Sequence, residues 1–197
     1  MTDSLKKNIN PEIGFNILRN ESSEIVQQFE VIAGSNNVER APYIIGTGNT
    51  LYTIYEYWVG SLATIRISRS ANGGCTWGFW GEIYSTATPA KSFTLPQAIL
   101  IDGKIYVVFT ETYSNVDLDI KFVSLDEGPE MTGGFGNNVD VSSANTYRPS
   151  IVVFGNNICV GYLDATTSKF IIQKSVDNGA SFNSVGILNY TQPVNWD

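Results

Sequence analysis

The sequence predicts an all-β protein built from β-propeller blades of four antiparallel strands, and three observations support this prediction. An eight-residue turn pattern recurs at a period of about fifty residues, prolines mark the same period, and no segment has a sustained helical period. A fixed period of this length indicates a repeat architecture in which neighbouring units bury one another. We therefore expect one propeller-type domain over residues 1–197, as an incomplete or four-bladed ring with almost no helix.

The turn pattern is clearest in two octets, and a third copy is degraded. An Asn or Asp side chain accepts backbone N–H bonds across such a turn, glycine takes the positive φ, and an aromatic packs under the loop. The octets therefore predict turns that lead into the fourth, outer strands. Their defining residues are Ser70, Asn72, Gly74, Thr76 and Trp77 in the first copy, Ser175, Asp177, Gly179, Ser181 and Phe182 in the last, and Ser124, Asp126 and Gly128 in the degraded copy, which lacks the aromatic.

Three prolines recur at the same period as the octets. Pro42, Pro96 and Pro149 each precede an apolar run, at steps of 54 and 53 residues. Each repeat is predicted to open with a strand after its proline, followed by a tight turn, a second apolar strand, a third strand and the outer strand. The predicted units are an N-terminal hairpin within 1–39, with strands at 14–19 and 25–32, and repeats over 40–93, 94–146 and 147–197.

Composition excludes several classes of function. The chain has 197 residues, a net charge of −7, two cysteines and no histidine. The acidic balance argues against nucleic acid as a partner, and no apolar stretch is long enough for a membrane span. The missing histidine excludes Ser-His-Asp and Cys-His chemistry, and too few ligands remain for a zinc site, so no metal or cofactor is predicted.

Cellular location is left open by the sequence. No hydrophobic signal core follows the first residues, which indicates synthesis in the cytoplasm, although a leader removed earlier would leave no trace. Cys75 and Cys159 fall at unrelated phases of the repeat and are interpreted as free thiols. The composition is compatible with a bacterial or phage structural component, which would associate with virions.

A group of charged residues recurs at the ends of the predicted second strands. Glu56, Glu111 and Asp164 follow their repeat prolines by 14, 15 and 15 residues, and Arg40 and Arg148 stand just before prolines. In a propeller these residues are expected to converge on one rim, framed by Tyr57, Trp58, Tyr113 and Tyr147. Aromatic rings beside paired polar groups are typical of carbohydrate-binding surfaces. The alternative is that the charges only satisfy loop backbone and one another.

The octets resemble the Asp-box, or BNR repeat, of the sialidase superfamily. Arg40-Ala41-Pro42 resembles that family's Arg-Ile-Pro motif, and the likeness extends over roughly residues 38–190. The resemblance implies a propeller in which the octets are structural and lie away from the active site. It also implies that Arg40 is the first arginine of a carboxylate-binding triad and that Glu56 matches a glutamate found in many members.

The resemblance to an active sialidase is incomplete. The loop expected to supply the acid/base aspartate, residues 57–62, contains no carboxylate, and two further triad arginines and the nucleophilic tyrosine normally come from later blades. Glycoside hydrolysis ordinarily requires two spaced carboxyl groups, or a tyrosine in place of one.

Three hypotheses follow. The leading one is a non-catalytic sialidase-like module that binds glycans, sialylated ones among them, or mediates assembly. The alternative is an active exo-sialidase or other glycoside hydrolase, or a fragment of one, with Arg40 binding substrate and Glu56, Glu111 or Asp164 as acid and base. The third is purely structural: the blades form a subunit interface in a homo-oligomer or a larger assembly that completes the ring.

Overall fold

The computed structural model describes residues 38–60, 62–84, 92–114, 117–133, 137–140 and 145–189. These residues form three sheets. The first contains β1 (Val38–Thr47), β2 (Thr50–Val59), β3 (Leu62–Ser70) and β4 (Gly78–Tyr84). The second contains β5 (Ser92–Ile101), β6 (Lys104–Ser114), β7 (Asp117–Asp126), β8 (Thr132–Gly133) and β9 (Asn137–Asp140). The third contains β10 (Thr146–Phe154), β11 (Asn157–Asp164), β12 (Lys169–Ser175) and β13 (Asn183–Asn189).

The three sheets are propeller blades, which confirms the predicted all-β class. In each sheet the strands pair antiparallel in chain order; in the second, the outer position is shared by β8 and β9, which both pair with β7. Strand β5 contacts both β1 and β10, so the first strands of successive sheets lie side by side. The described sheets do not close into a ring. The hairpin predicted at 14–19 and 25–32 lies outside the described residues, and the repeat boundaries stay a prediction.

The repeat prolines lie inside the first strands, whereas the sequence predicted that these strands begin after them. The pairing register shifts around each proline, between Arg40 and Tyr43, between Thr94 and Gln97, and between Tyr147 and Ser150. Proline has no N–H to donate to the ladder, and a β-bulge accommodates it because the extra residue is left unpaired. The period of the prolines therefore marks three bulges.

Each bulge contains a residue in the left-handed region of backbone conformation. Ala41, Leu95 and Arg148 directly precede the three prolines and have φ values of 47°, 55° and 57°. Such values are uncommon for residues other than glycine and persist only where the surrounding structure enforces them. The same strained geometry is thus built three times, once in each first strand.

The hydrophobic core consists of two layers between neighbouring sheets. We call the face of a sheet turned toward the next sheet in the chain its forward face, and the opposite one its backward face. The forward face of the first sheet, with Tyr52 and Ile54, packs on the backward face of the second, with Val107 and Phe109. The second sheet's forward face packs in the same way on the third sheet, through the side chains Tyr106, Val108, Ile158, Val160 and Tyr162.

The forward face of the third sheet is apolar and exposed. Ile151 and Val153 of β10 point backward into the core, so Val152 and Phe154 point forward, and they are 53% and 80% exposed. Leu188 of β13, opposite Phe170, is 61% exposed. In the described part of the chain, no further sheet covers this face.

Both complete octets form a closed hydrogen-bonded turn. Ser70 Oγ donates to Asn72 Oδ1 and accepts from the Gly74 amide, each at 2.9 Å, and Asn72 Oδ1 also accepts from the Thr76 amide at 2.9 Å. The ring nitrogen of Trp77 donates to the Gly74 carbonyl at 3.1 Å. Gly74 has a φ of 90°, as the turn pattern predicts.

The octet of the third sheet repeats these bonds and also contacts the second sheet. The carboxylate of Asp177 accepts from the Ser175 hydroxyl at 2.6 Å and from the Ser181 amide at 2.9 Å. The ring of Phe182 meets Phe122 of the second sheet at a centroid distance of 5.3 Å. A Cβ on Gly179 would come within 2.1 Å of the Phe122 ring, so this position has no room for a side chain.

The degraded octet keeps part of the turn. The Glu127 amide donates to the Gly103 carbonyl at 2.8 Å, in the position where the first octet has the bond from the Gly73 amide to Asn49. Asp126 instead pairs with Lys104 at 2.5 Å on the surface. Met131 stands where the other octets have their aromatic, and this flexible apolar side chain packs on the first core layer as Phe182 packs on the second.

Candidate functional site

The three bulges meet in an open cleft of about 390 Å³, which we call the proline cleft. This volume lies within the range of small-molecule sites, about 300–1,000 Å³. Its lining residues are mostly apolar, with one arginine, one glutamine and one tyrosine among them. The lining residues are Ala41, Pro42, Tyr43, Leu95, Pro96, Gln97, Arg148 and Pro149. No carboxylate is among these described lining residues.

The two predicted arginines have different surroundings. Arg148 belongs to the strained residues of the bulges, is exposed, and lines the cleft. Arg40 lies one residue earlier in its own repeat, directly opposite Glu56 in the β1–β2 ladder, and its guanidinium carbon lies 5.3 Å from the centre of the Trp58 ring. Arg148 therefore contributes to the cleft, whereas Arg40 stacks on an aromatic of its own sheet.

Glu56 is buried and both of its carboxylate oxygens are engaged. The side chain is 4% exposed. Its Oε2 accepts from the indole nitrogen of Trp58 at 2.8 Å, and its Oε1 accepts from the backbone amide of Leu95 at 2.7 Å. Leu95 belongs to the second sheet, so this carboxylate bonds directly to the bulge of the neighbouring sheet.

Glu111 belongs to a buried charged cluster. Its Oε2 lies 2.7 Å from Lys121 Nζ, which is also 3.7 Å from Asp119 Oδ2 and donates to Asn138 Oδ1. Glu111, Asp119 and Lys121 are 1%, 5% and 6% exposed. Burial is the largest cause that raises the pKa of Asp119, and the nearby carboxylates add to it, while Lys121 opposes it. The lysine therefore compensates two buried carboxylates in one inter-sheet space.

Asp164 closes the turn that follows β11. Its Oδ1 accepts from the Thr167 amide at 3.1 Å, and its Oδ2 accepts from the Thr167 hydroxyl at 2.5 Å. The carboxylate of Asp164 thus satisfies a backbone amide three residues further along its own turn. Asp164 is 6% exposed.

The three carboxylates lie at corresponding ends of the second strands but do not share one face. Glu56 pairs with the residue two before its proline, whereas Glu111 and Asp164 pair with the residue three before theirs. Because side chains alternate along a strand, the one-residue difference reverses the face. Glu56 points forward and Glu111 backward into the space between the first two sheets, and Asp164 points into the space between the second and third.

The predicted aromatic frame is divided in the same way. Tyr57 points to the opposite face from Trp58, where the guanidinium carbon of Arg66 lies 3.3 Å from the centre of the Tyr57 ring. Arg66 Nε in turn donates to Glu82 Oε2 at 3.2 Å. Trp58 stays on the face of Glu56 and Arg40. Tyr113 and Tyr147 lie on β6 and β10, and their side chains lie outside the described part of the structure.

A second polar group lies between the second and third sheets. The Tyr162 hydroxyl accepts from Gln173 Nε2 at 3.1 Å and lies near Asp140 and Asp164. Burial is the main cause that raises the pKa of Tyr162 to about 12, and the neighbouring carboxylates add to the effect. The phenol is therefore held neutral.

Sequence reasoning missed Asp119 and Lys121. They alternate with apolar residues in β7, a pattern that usually indicates a solvent-facing side of a strand. β7 is an interior strand of a middle blade, however, and both of its faces are buried. The signal that could have revealed them is the pairing of an acid and a base two residues apart within a strand expected to lie between two sheets.

Comparisons with solved structures place the fold among propeller enzymes. A Hadza microbial sialidase, Hz136, superposes with a TM-score of 0.56 at 16% identity, over 76% of this chain and 38% of its own. For a family 117 glycoside hydrolase of Zobellia galactanivorans the TM-score is 0.53 at 16% sequence identity, and the match covers 75% of this chain and 45% of that one. For a GH43_1 enzyme of Xanthomonas citri, complexed with xylose, the TM-score is 0.53 at 13% sequence identity, and the match covers 76% of this chain and 56% of that one.

At these identities the similarity shows the fold alone. The chain spans between about two fifths and just over half of the length of these three structures. No protein-family model and no curated protein matches the sequence. Within the described residues, no helix is long and apolar enough to cross a membrane.

Proposed function

We propose that the chain is a non-catalytic, sialidase-like propeller module that binds a glycan in the proline cleft. The observation that carries this proposal is that no carboxylate is among the described residues that line the cleft. Arg148, Gln97 and Tyr43 line the cleft with three prolines, while Glu56, Glu111 and Asp164 are buried and bonded to other protein groups. Glycosidases need acids that reach the glycosidic bond, whereas binding needs only the mixed apolar and polar surface.

Two further observations support a glycan as the ligand. Sialidase and glycoside hydrolases of families 43 and 117 are among the structures that this chain resembles. The closed turns of the two complete octets have the hydrogen bonds expected of the Asp-box, to which the octets are similar in sequence. A sialylated glycan is the finer proposal, because the guanidinium of Arg148 can hold a carboxylate in a bidentate arrangement.

Saturation-transfer NMR with sialyllactose, followed over a day, tests binding and turnover in one sample. We expect transfer to the sugar without release of free sialic acid, strong loss of transfer in Arg148→Ala, and little change in Arg40→Ala, because only Arg148 lines the cleft. Free sialic acid would make the chain a sialidase and overturn the non-catalytic proposal. Absence of transfer from acidic and neutral oligosaccharides alike would refute glycan binding.

An assembly role is the second candidate, and the exposed forward face of the third sheet favours it. Large apolar patches on a surface mark interaction sites. On this hypothesis the module associates with itself or with a larger assembly through this face. Light scattering over a range of concentrations is expected to show association that is lost in Phe154→Ser and Leu188→Ser, while a monomer at all concentrations would exclude self-association.

A further inference from the structure

We propose that Glu56 is a positioning residue that holds the Leu95 bulge of the second sheet and thereby sets the shape of the proline cleft. The inference rests on the proposed function only in naming the cleft as a ligand site. The sequence offered Glu56 as a catalytic acid. Its contacts assign it a different role, which acts through Leu95 on the surface that a ligand would meet.

The Leu95 bulge needs an acceptor from outside its own sheet. Register is lost between Thr94 and Gln97, so the amide of Leu95 lies outside the regular β5–β6 ladder. Leu95 has a φ of 55°, is 39% exposed, and lines the cleft. Its amide donates to Glu56 Oε1 at 2.7 Å, a length typical of hydrogen bonds to a charged acceptor. The carboxylate of the first sheet therefore stabilises a strained residue of the second.

The carboxylate of Glu56 is itself held by Trp58, whose ring is covered by Arg40. Trp58 donates its indole N–H to the second oxygen at 2.8 Å, and Arg40, opposite Glu56 in the ladder, lies over the Trp58 ring. Arg40, Trp58 and Glu56 thus form a bracket on the forward face of the first sheet. This accounts for the position of Arg40 outside the cleft.

The second sheet provides an internal comparison. The residue in the register position of Glu56 is Thr110, because each pairs with the residue two before its repeat proline. Thr110 is fully buried, and its hydroxyl has no hydrogen-bond partner among the described residues. Threonine lacks the length and charge of glutamate, so among the three described sheets the bracket joins the first to the second and has no counterpart at Thr110. Thr110→Val is therefore a matched control at the equivalent position.

Amide hydrogen exchange and the proton shift of the Leu95 amide test this role without any ligand. In Glu56→Ala we expect exchange at Leu95 to accelerate about tenfold or more, since a hydrogen bond to a charged group is lost, with an upfield shift of that amide. Glu56→Gln should give an intermediate effect. Its amide keeps one oxygen acceptor but presents N–H groups to one of two donors. Thr110→Val should leave Leu95 unchanged.

The amide of Ile67, in the core of the first sheet, reports on general stability. Unchanged exchange and shift at Leu95 in Glu56→Ala would overturn the proposal. Equal acceleration at Leu95 and Ile67 would also overturn it, because Glu56 would then only stabilise the fold. Since neither measurement uses a sugar, a failure to bind glycans leaves this result independent of the proposed function.

Discussion

At the scale of single residues, the two complete octets show how one turn tolerates two side chains. Asn72 and Asp177 occupy the same position, and in both turns Oδ1 accepts from the amide four residues on. Asn72 donates its Nδ2 to the Thr76 hydroxyl at 2.8 Å, whereas Asp177 accepts from the Ser181 hydroxyl at 2.5 Å. The hydroxyl rotates to suit either partner, so the turn needs an acceptor and not a charge.

The charge at this position does make the third octet sensitive to acid. Hydrogen bonds from Ser175 and Ser181 lower the pKa of Asp177 from the ordinary 3.8 to about 2. A depressed pKa in the folded state means that the stabilisation is complete above pH 3.8 and is lost as the pH falls through 2. We expect Asp177→Asn to remove this part of the acid dependence while the turn stays folded.

Urea denaturation of wild type and Asp177→Asn at pH 7 and at pH 2.5 checks this expectation. The difference in unfolding midpoint between the two proteins should be smaller at the lower pH. Asn72→Asp is the complementary variant and should gain the acid dependence that Asp177→Asn loses. If the difference in unfolding midpoint between wild type and Asp177→Asn were the same at both pH values, Asp177 would not be the source of this acid dependence.

At the scale of elements, the charged residues of the second sheet's interior strands are buried and therefore pair with one another. β7 is covered on both faces, so the alternation of polar and apolar residues along it does not produce a solvent-exposed face. Lys121 is 6% exposed and compensates Glu111 and Asp119. Removing one partner of a buried ion pair leaves the other charge uncompensated, which is far more costly than losing a surface pair.

Lys121→Met is therefore expected to lower the free energy of unfolding by about 3–5 kcal/mol. Lys104→Met is the matched control in the same sheet, because Lys104 pairs with Asp126 at 2.5 Å but both side chains are about half exposed. Exposed pairs of this kind contribute about 0–1 kcal/mol. Chemical denaturation measures both variants, and equal effects would mean that the cluster around Lys121 is hydrated.

At the scale of the whole molecule, stability depends on the layers between sheets. Phe109 is fully buried in the first layer, where its ring meets Phe93 edge to face at 5.8 Å. Phe154 lies on the forward face of the third sheet and is 80% exposed. The same residue type thus occurs in a filled inter-sheet layer and on an end face of the described structure.

Phe109→Ala should lower the free energy of unfolding by about 3–5 kcal/mol, because it removes a buried ring and leaves a cavity. Phe154→Ala should change it by less than about 0.5 kcal/mol in dilute solution. Thermal unfolding of both variants at low protein concentration provides the comparison. A large effect of Phe154→Ala would show that the forward face of the third sheet is covered in solution.

Much of this architecture was predictable from local sequence. The octets around Ser70 and Ser175 and the period of the prolines predicted the order of the strands, because turns depend on residues close together in the chain. The degraded octet was recognised, but the part played by Met131 was not. Its partner is the first core layer, which sequence proximity does not reveal.

The site depended on tertiary structure. Sequence spacing placed Glu56, Glu111 and Asp164 at the ends of second strands. Their spacings of 14, 15 and 15 residues from the prolines already contained the one-residue difference. Which face each carboxylate occupies, however, depends on the bulge at each proline and on the strand register. Local sequence patterns were enough to predict the strand order and the octet turns. Only the packing of sheet against sheet decided that Arg148 lines the cleft and that Glu56 holds the backbone of a neighbouring blade, because those contacts join residues far apart in the chain.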